Sequence, residues 1–123
     1  MDPAHLPHLD PALPFSAAVT AGGLVLLSGE IGVDAQGRLP DLLEDQAALL
    51  FANIERTLSR LGLDRSAIVK CTVMLADMAD WDQFNRVYSR FFEGLPAPAR
   101  SAFGCSGLAL GAKVEMECIA VTR

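Results

Sequence analysis

The sequence has no paired cysteines of the kind that hold a metal or carry out redox exchange. Its cysteines, Cys71, Cys105 and Cys118, are odd in number and lie far apart. Cysteines in this arrangement are usually small buried hydrophobic residues of proteins in a reducing compartment. The pattern therefore predicts a cytoplasmic protein.

Positive charge and long apolar runs are scarce as well. The 123 residues carry a net charge of −5 with a pI of about 4.8, which disfavours nucleic acid as a partner because that binding depends on Lys and Arg at the phosphates. No apolar run approaches membrane-spanning length, and the first residues lack the basic and apolar regions of a signal peptide. With 51% hydrophobic residues, the chain is expected to form one compact domain without a membrane partner.

Histidine is limited to His5 and His8, and both lie in a proline-rich segment at the N-terminus. No third metal ligand lies near them, and the rest of the chain has no histidine for a nucleophile–base triad. We interpret both as solvated and expect neither a metal nor a cofactor. The prolines predict an extended arm over residues 1–13, followed by a single domain over residues 14–123.

Hydrophobic periodicity predicts the order β-β-α-β-α-β-β. The predicted elements are a hairpin of strands 16–20 and 24–28, a helix over 41–61, a strand over 68–75, a second helix that opens at 80–83, and strands over 100–105 and 114–122. Gly62 stands where the first helix needs a C-terminal cap, and Asp80 with Gln83 has the spacing of a capping box. This order predicts an α+β fold in which both helices pack on one face of a single sheet.

The last predicted strand indicates what lies on the other face of the sheet. One side of this strand is apolar, whereas the other carries Glu115 and Glu117 beside Ile119 and Val121. Such a mixed surface is typical of an oligomer interface that contains a polar pocket.

Arg100 is the most informative residue of the chain. It follows the proline-rich loop 95–98 and stands at the entrance of a predicted strand. Its guanidinium remains charged, so it must pair with an acid, reach solvent or bind an anionic ligand, and its planar fork fits a carboxylate or phosphate. Position alone leaves a structural ion pair and an anion site equally open.

Several segments in a fixed order resemble the RidA/YjgF family, whose members are often called L-PSP endoribonucleases. The matching segments, between about residues 14 and 123, are residues 14–19, 27–31, 69–73, 85–88, 91–92, 98–101 and 114–121. The resemblance implies a chorismate-mutase-like α+β fold and a homotrimer with its helices outside and its sites in clefts between subunits.

The resemblance also implies roles for individual residues. Arg100 would bind the carboxylate of a 2-imino acid, Glu115 would orient the attacking water, and Ser28 and Asn85 match two further site residues of the family. Phe15 stands where the family has a tyrosine, so it is a fifth candidate for substrate contact, and Ala102 replaces a family cysteine.

Each candidate also has a structural alternative. Glu115 fits a solvated or ion-paired strand residue, and Ser28 fits a strand-end residue bonded to backbone. Asn85 fits an exposed helix residue, and Phe15 fits interface packing.

Three functions remain open at this level. The first is hydrolytic deamination of reactive 2-imino and enamine acids of the 2-aminoacrylate type to 2-oxo acids and ammonia, which needs a bound carboxylate and a placed water but no covalent intermediate. The second is noncatalytic binding or sensing of small carboxylates, which needs Arg100 but not Glu115. The third, endoribonuclease activity, is disfavoured by the acidic pI of about 4.8.

Overall fold

The computed structural model describes residues 2–123, which form one six-stranded sheet and two α-helices. The strands are β1 (Ala4–Leu6), β2 (Ala18–Ala21), β3 (Leu24–Ile31), β4 (Ile68–Leu75), β5 (Ala99–Gly104) and β6 (Val114–Val121), and the helices are α1 (Leu43–Arg60) and α2 (Trp81–Phe91). The strand order is β1-β2-β3-β6-β4-β5, with β4 and β5 parallel and all other neighbours antiparallel. The predicted α+β class, with one sheet and two helices, is confirmed.

Strand β1 lies in the segment whose prolines predict an extended arm. Its residues pair with β2, so that His5 lies opposite Val19. Pro3 and Pro7 flank this strand, and the residues between them retain the N–H groups that a ladder needs. The sheet therefore extends to an edge strand that the hydrophobic pattern of the sequence did not predict.

The core lies between the helices and one face of the sheet. Leu50, Ile54 and Leu58 of α1 are fully buried against Val73 and Met116 of the sheet face that the helices cover. A fully buried side chain of this size stabilises the fold by about 1.5–3 kcal/mol. The predicted apolar stripe of α1 is thus the stripe that forms the core.

The predicted cap of α1 is confirmed in detail. Gly62 has a φ of +71°, which a glycine adopts without the Cβ penalty. Its N–H donates to the Ser59 carbonyl at 3.0 Å, and the Leu63 N–H donates to the Leu58 carbonyl at 2.9 Å. This pair of bonds is a Schellman motif, which satisfies carbonyls at the end of the helix.

The predicted capping box at α2 is wrong. The Asp80 side chain makes no capping hydrogen bond, and Gln83 donates to Glu44 Oε1 at 3.1 Å instead. A short 3₁₀ turn, Met78–Asp80, precedes the helix and is capped by Asp77, whose carboxylate accepts from the Ala79 N–H at 2.9 Å. Helix α2 therefore follows directly from this 3₁₀ turn and does not begin with a side-chain cap.

Val69 does not lie on the face of β4 that simple alternation of side chains along the strand predicts. The sequence pattern places Val69 with Cys71, Val73 and Leu75, but the β4–β6 register shifts between Ile68 and Lys70. A bulge of this kind reverses the alternation of side chains at one point. Ile68 is consequently buried, whereas Val69 is 42% exposed.

The face of the sheet away from the helices, called here the outer face, has no cover within the described chain. Five large apolar side chains there are between 37% and 47% exposed: Leu24, Leu26, Val69, Phe103 and Val121. Glu115, Glu117 and Ile119 of β6 lie on the same face. Apolar exposure on this scale is typical of an interaction surface. Within residues 2–123, neither helix is long and apolar enough to cross a membrane.

Candidate functional site

Arg100 lies at the edge of the sheet, on the side that faces the helices. In the parallel β4–β5 register it pairs with the buried Cys71. Its Nη1 donates to Asn85 Oδ1 at 2.7 Å, and its guanidinium carbon lies 5.3 Å from the centre of the Trp81 ring and 4.7 Å from that of Tyr88. Arg100, Asn85, Trp81 and Tyr88 are called the Arg100 cluster below.

The Arg100 cluster holds a cation without neutralising it. Among residues 2–123, the only ion pair joins Arg123 and Asp64 at 2.9 Å, on the exposed surface. An amide oxygen orients a guanidinium but brings no negative charge, and the aromatic faces attract the cation. Arg100 therefore forms no structural ion pair within residues 2–123. Most of its N–H donors remain available to an anion.

Tyr88 supports this arrangement as a neutral ring. Its hydroxyl is buried and has no hydrogen-bond partner in the described chain. Burial, followed by the neighbouring Cys71, raises the pKa of the Tyr88 hydroxyl well above its ordinary value. Tyr88 consequently offers Arg100 the face of an uncharged phenol ring.

Glu115 lies on the outer face, where its carboxylate rests against the backbone of Gly29. A Cβ atom at position 29 would overlap Glu115 Oε2, so a larger residue there would displace the carboxylate. Burial, and to a lesser degree the neighbouring Glu117, raises the pKa of Glu115 above that of an ordinary glutamate. A carboxylate with a raised pKa is better suited to exchange a proton with water near neutral pH.

Ser28 is connected to Phe15 through Ser16, the residue that follows Phe15 in the chain. The Ser28 hydroxyl donates to the Ser16 carbonyl at 2.6 Å, at the point where the β3–β6 register shifts between Leu27 and Glu30. The alternative interpretation of Ser28, a residue bonded to backbone, is confirmed by this contact, although the oxygen keeps free lone pairs. Phe15 is 46% exposed. Phe15, Ser28 and Glu115 are called the β3 group below.

The chain brings Arg100 to Asn85 but does not bring the Arg100 cluster to the β3 group. Strands β6 and β4 stand between β3 and β5. At a strand spacing of about 4.8 Å, Ser28 of β3 lies about 14 Å across the sheet from β5, and Glu115 of β6 about 10 Å. Arg100 also faces the helices, whereas Glu115 faces the opposite side. Within a single chain, Arg100 and Asn85 therefore lie together at the edge of the sheet, and the β3 group lies apart from them.

Two surface depressions of the described chain lie apart from each other, and neither bridges this gap. One, of about 440 Å³, lies along α2 and is lined by Asn85, Arg86, Ser89 and Arg90. The other, of about 540 Å³, is lined by residues of the 37–41 loop together with Gln46 and by Leu110, Gly111 and Lys113, and contains none of the five candidates.

Three notable residues were not among the candidates predicted from the sequence: Trp81, Tyr88 and Glu30. Trp81 and Tyr88 complete the Arg100 cluster, and their spacing from Asn85, which puts all three on one face of α2, could have indicated them. Glu30, the one carboxylate within β3, has its pKa raised to about 7 by burial, an effect that Arg56 opposes and Glu115 reinforces. The feature of the sequence that could have indicated Glu30 is a charged residue within a mostly apolar strand.

Fold and side chains together define a class: an α+β protein with one mixed sheet and an unpaired arginine at the sheet edge. The family model described as Endoribonuclease L-PSP matches residues 6–122. The chain therefore belongs to this family, the RidA/YjgF family, and the resemblance seen in the sequence is confirmed.

Individual relatives agree with this assignment. "Reactive Intermediate Deaminase A, chloroplastic" of Arabidopsis thaliana is 41% identical over 109 residues, which are 87% of this chain but only 58% of the plant protein. "2-iminobutanoate/2-iminopropanoate deaminase" of Mus musculus is 37% identical over 110 residues, covering 88% of this chain and 81% of the mouse protein.

Solved structures match the fold over nearly the whole chain. E. coli TdcF with bound serine has a TM-score of 0.87 at 33% identity, covering 97% of this chain and 94% of that one. The YjgF gene product of E. coli has a TM-score of 0.86 at 30% identity, with the same coverage.

Proposed function

We propose that this protein hydrolyses reactive 2-imino and enamine acids to 2-oxo acids and ammonia. The observation that carries the proposal is the unpaired guanidinium of Arg100, which Asn85 orients at 2.7 Å and which has no acid partner among residues 2–123. The names of the plant and mouse relatives support it, since both are called deaminases of reactive or imino compounds.

In this mechanism Arg100 binds the substrate carboxylate. Two parallel N–H···O bonds fix both the position and the plane of the carboxylate, and therefore the orientation of the adjacent C=N group. Asn85 and the two rings hold the guanidinium in place before the substrate arrives. Binding then costs little reorganisation of the protein.

Glu115 acts on the water. As the water oxygen forms a bond to the C=N carbon, the carboxylate takes a proton from the water and passes it to the imine nitrogen, which gives a neutral carbinolamine. Glu115 then takes the proton of the carbinolamine hydroxyl and delivers it to the nitrogen as the C–N bond breaks and the C=O bond forms, so that ammonia leaves. Imine and water are converted to 2-oxo acid and ammonia, and the raised pKa of Glu115 suits both steps. Ser28 and Phe15 serve as a polar contact and an apolar wall for the substrate.

The protein acts in our proposal as a homotrimer whose sites lie in clefts between subunits. One chain keeps the Arg100 cluster and the β3 group apart, so a second chain must bring its β3 group to the Arg100 edge. The uncovered apolar side chains of the outer face supply a surface for such assembly. The helices then remain on the outside, as in a chorismate-mutase-like arrangement.

Two measurements test the proposal. Light scattering coupled to gel filtration should give about three times the 13.1 kDa chain mass. Imines generated in situ by an amino-acid oxidase should disappear faster when the protein is added. A monomer would contradict the cleft, and an unchanged imine lifetime would contradict the activity.

One observation favours a second candidate, a noncatalytic sensor of small carboxylates. The Arg100 cluster is complete within one chain, whereas Glu115 lies on the other face of the sheet. If the protein binds 2-oxo acids but hydrolyses no imine, this second function is the correct one. The net charge of −5 disfavours endoribonuclease activity, because RNA binding requires positive charge at the phosphates.

We also place the protein in the cytoplasm, without a cofactor. Cys71, Cys105 and Cys118 are all free thiols, as is usual in a reducing compartment. The proposed hydrolysis needs only substrate, water and the chain's own side chains.

A further inference from the structure

The N-terminal segment is fixed more firmly than its prolines and exposure suggest. Strand β1 pairs with β2, and just beyond it the Arg60 guanidinium donates to the Pro7 carbonyl at 2.7 Å. The backbone next to His8 is therefore attached to the end of α1. His8 is half-buried rather than fully solvated, which corrects the expectation from sequence.

The His8 ring is held in a defined state. Its Nδ1 accepts a hydrogen bond from the Asp10 N–H at 2.9 Å, and the Asp10 carboxylate accepts from the Ala12 N–H at 3.0 Å. Because Nδ1 is the acceptor, the neutral imidazole carries its proton on Nε2. The ring thus belongs to an ordered turn.

His8 packs edge-on against Phe15. The two ring centres are 5.4 Å apart and the planes meet at 76°, which is a favourable geometry for an aromatic pair. Within residues 2–123, His8 is the only aromatic ring paired with Phe15, which is otherwise 46% exposed. On its other side Phe15 is joined to Ser16, whose carbonyl accepts from Ser28.

We propose that His8 is a positioning residue for the substrate site: it holds the Phe15 ring in the orientation that contacts the ligand. The inference rests on the role proposed above for Phe15. An exposed phenylalanine without a partner occupies several rotamers, and apparent affinity falls in proportion to the fraction in the competent one. His8 raises that fraction, while the Ser28–Ser16 bond fixes the backbone.

The test compares three variants. His8→Ala should raise KM for imine hydrolysis by about three- to tenfold, the range that an aromatic pair accounts for, and leave kcat unchanged. His8→Phe keeps an edge-on ring without ring nitrogens and should restore the wild-type KM. Leu9→Ala removes the side chain next to His8 in the same segment, which is 61% exposed, and should leave KM unchanged.

Three results would overturn the inference. One is an unchanged KM in His8→Ala. Another is a KM in His8→Phe as high as in His8→Ala, which would mean that an imidazole nitrogen, through its bond from the Asp10 N–H or a contact with the ligand, sets KM instead of the aromatic pair. Calorimetric binding of pyruvate to the same variants separates this inference from the proposed activity. If the wild-type protein hydrolyses no imine, the activity fails, but a pyruvate affinity weakened in His8→Ala and restored in His8→Phe still supports the positioning role. The third result is no change in pyruvate binding across the variants.

Discussion

The Arg100 cluster and the β3 group are built in different ways. Arg100 is held by side chains of a neighbouring helix, through one hydrogen bond of 2.7 Å and two aromatic faces. The β3 group is held mainly by the backbone: Ser28 bonds to the Ser16 carbonyl, and Glu115 lies against Gly29.

In the proposed mechanism this difference separates binding from chemistry. The Arg100 guanidinium is fixed by its own chain, whereas Glu115 faces the opposite side of the sheet. In the homotrimer that we propose, Glu115 therefore meets an Arg100 cluster only across a subunit boundary. Variants in the two regions should therefore affect different measured quantities.

The largest expected effect belongs to the β3 group. Glu115→Gln keeps the size of the side chain but removes the group that takes a proton from water. We expect imine hydrolysis to fall by about 10²-fold or more, the usual contribution of a positioned acid or base, while pyruvate affinity measured by calorimetry stays nearly constant. Equal rates in the variant and the wild-type protein would show that other groups place the water.

Glu117→Gln is the matched control, since Glu117 lies two residues along the same face of β6. Its charge helps to raise the pKa of Glu115. A general base must be ionised, so activity falls as pH drops through the pKa of Glu115, and this control should move the acidic limb of kcat/KM to lower pH without lowering the plateau. An acidic limb at the same pH in Glu117→Gln and the wild-type protein would argue against Glu115 as the titrating group.

The next effect belongs to the Arg100 cluster. Arg100→Ala removes hydrogen bonds to a charged ligand, each worth about 1.5–3 kcal/mol, so pyruvate affinity should fall at least about tenfold while the oligomeric mass is unchanged. Arg38→Ala, at an exposed arginine of the 37–41 loop outside the Arg100 cluster, is the control for loss of positive charge and should leave pyruvate affinity unchanged. Equal affinities in Arg100→Ala and the wild-type protein would mean that Arg100 does not bind the ligand.

The smallest effect concerns Glu30 of β3. Its pKa is raised from 4.5 to about 7 in the folded chain, so the folded state binds more protons than the unfolded state between these values. The stability that protonation provides is complete below about pH 4.5 and is lost as pH rises through about 7, where the folded carboxyl also ionises. Between about pH 6 and 8 the loss amounts to about one pKa unit, or about 1.4 kcal/mol.

Glu30→Gln should remove this part of the pH dependence. Urea unfolding at fixed protein concentration measures it, with the exposed Glu55→Gln as control. A slope of stability against pH that is the same in Glu30→Gln and the wild-type protein would show that folding does not raise the pKa of the Glu30 carboxyl.

Local patterns in the sequence determined most of the elements. The stripe of α1, its end at Gly62 and the bounds of β4 follow from apolar spacing and glycine chemistry, which act between residues close in the chain. Arg100 and Glu115 could be nominated for the same kind of reason, because charged groups in or beside apolar strands need a partner or a role.

Only the tertiary structure decided how these residues meet. The bulge in β4 that exposes Val69, the strand β1 and the opposite facing of Arg100 and Glu115 depend on register between strands distant in sequence. Whether Arg100 had an acid partner was likewise open in the sequence, since the chain has 15 acidic residues. Pairing is set by packing across long separations, and this packing placed Asn85, not a carboxylate, beside the guanidinium.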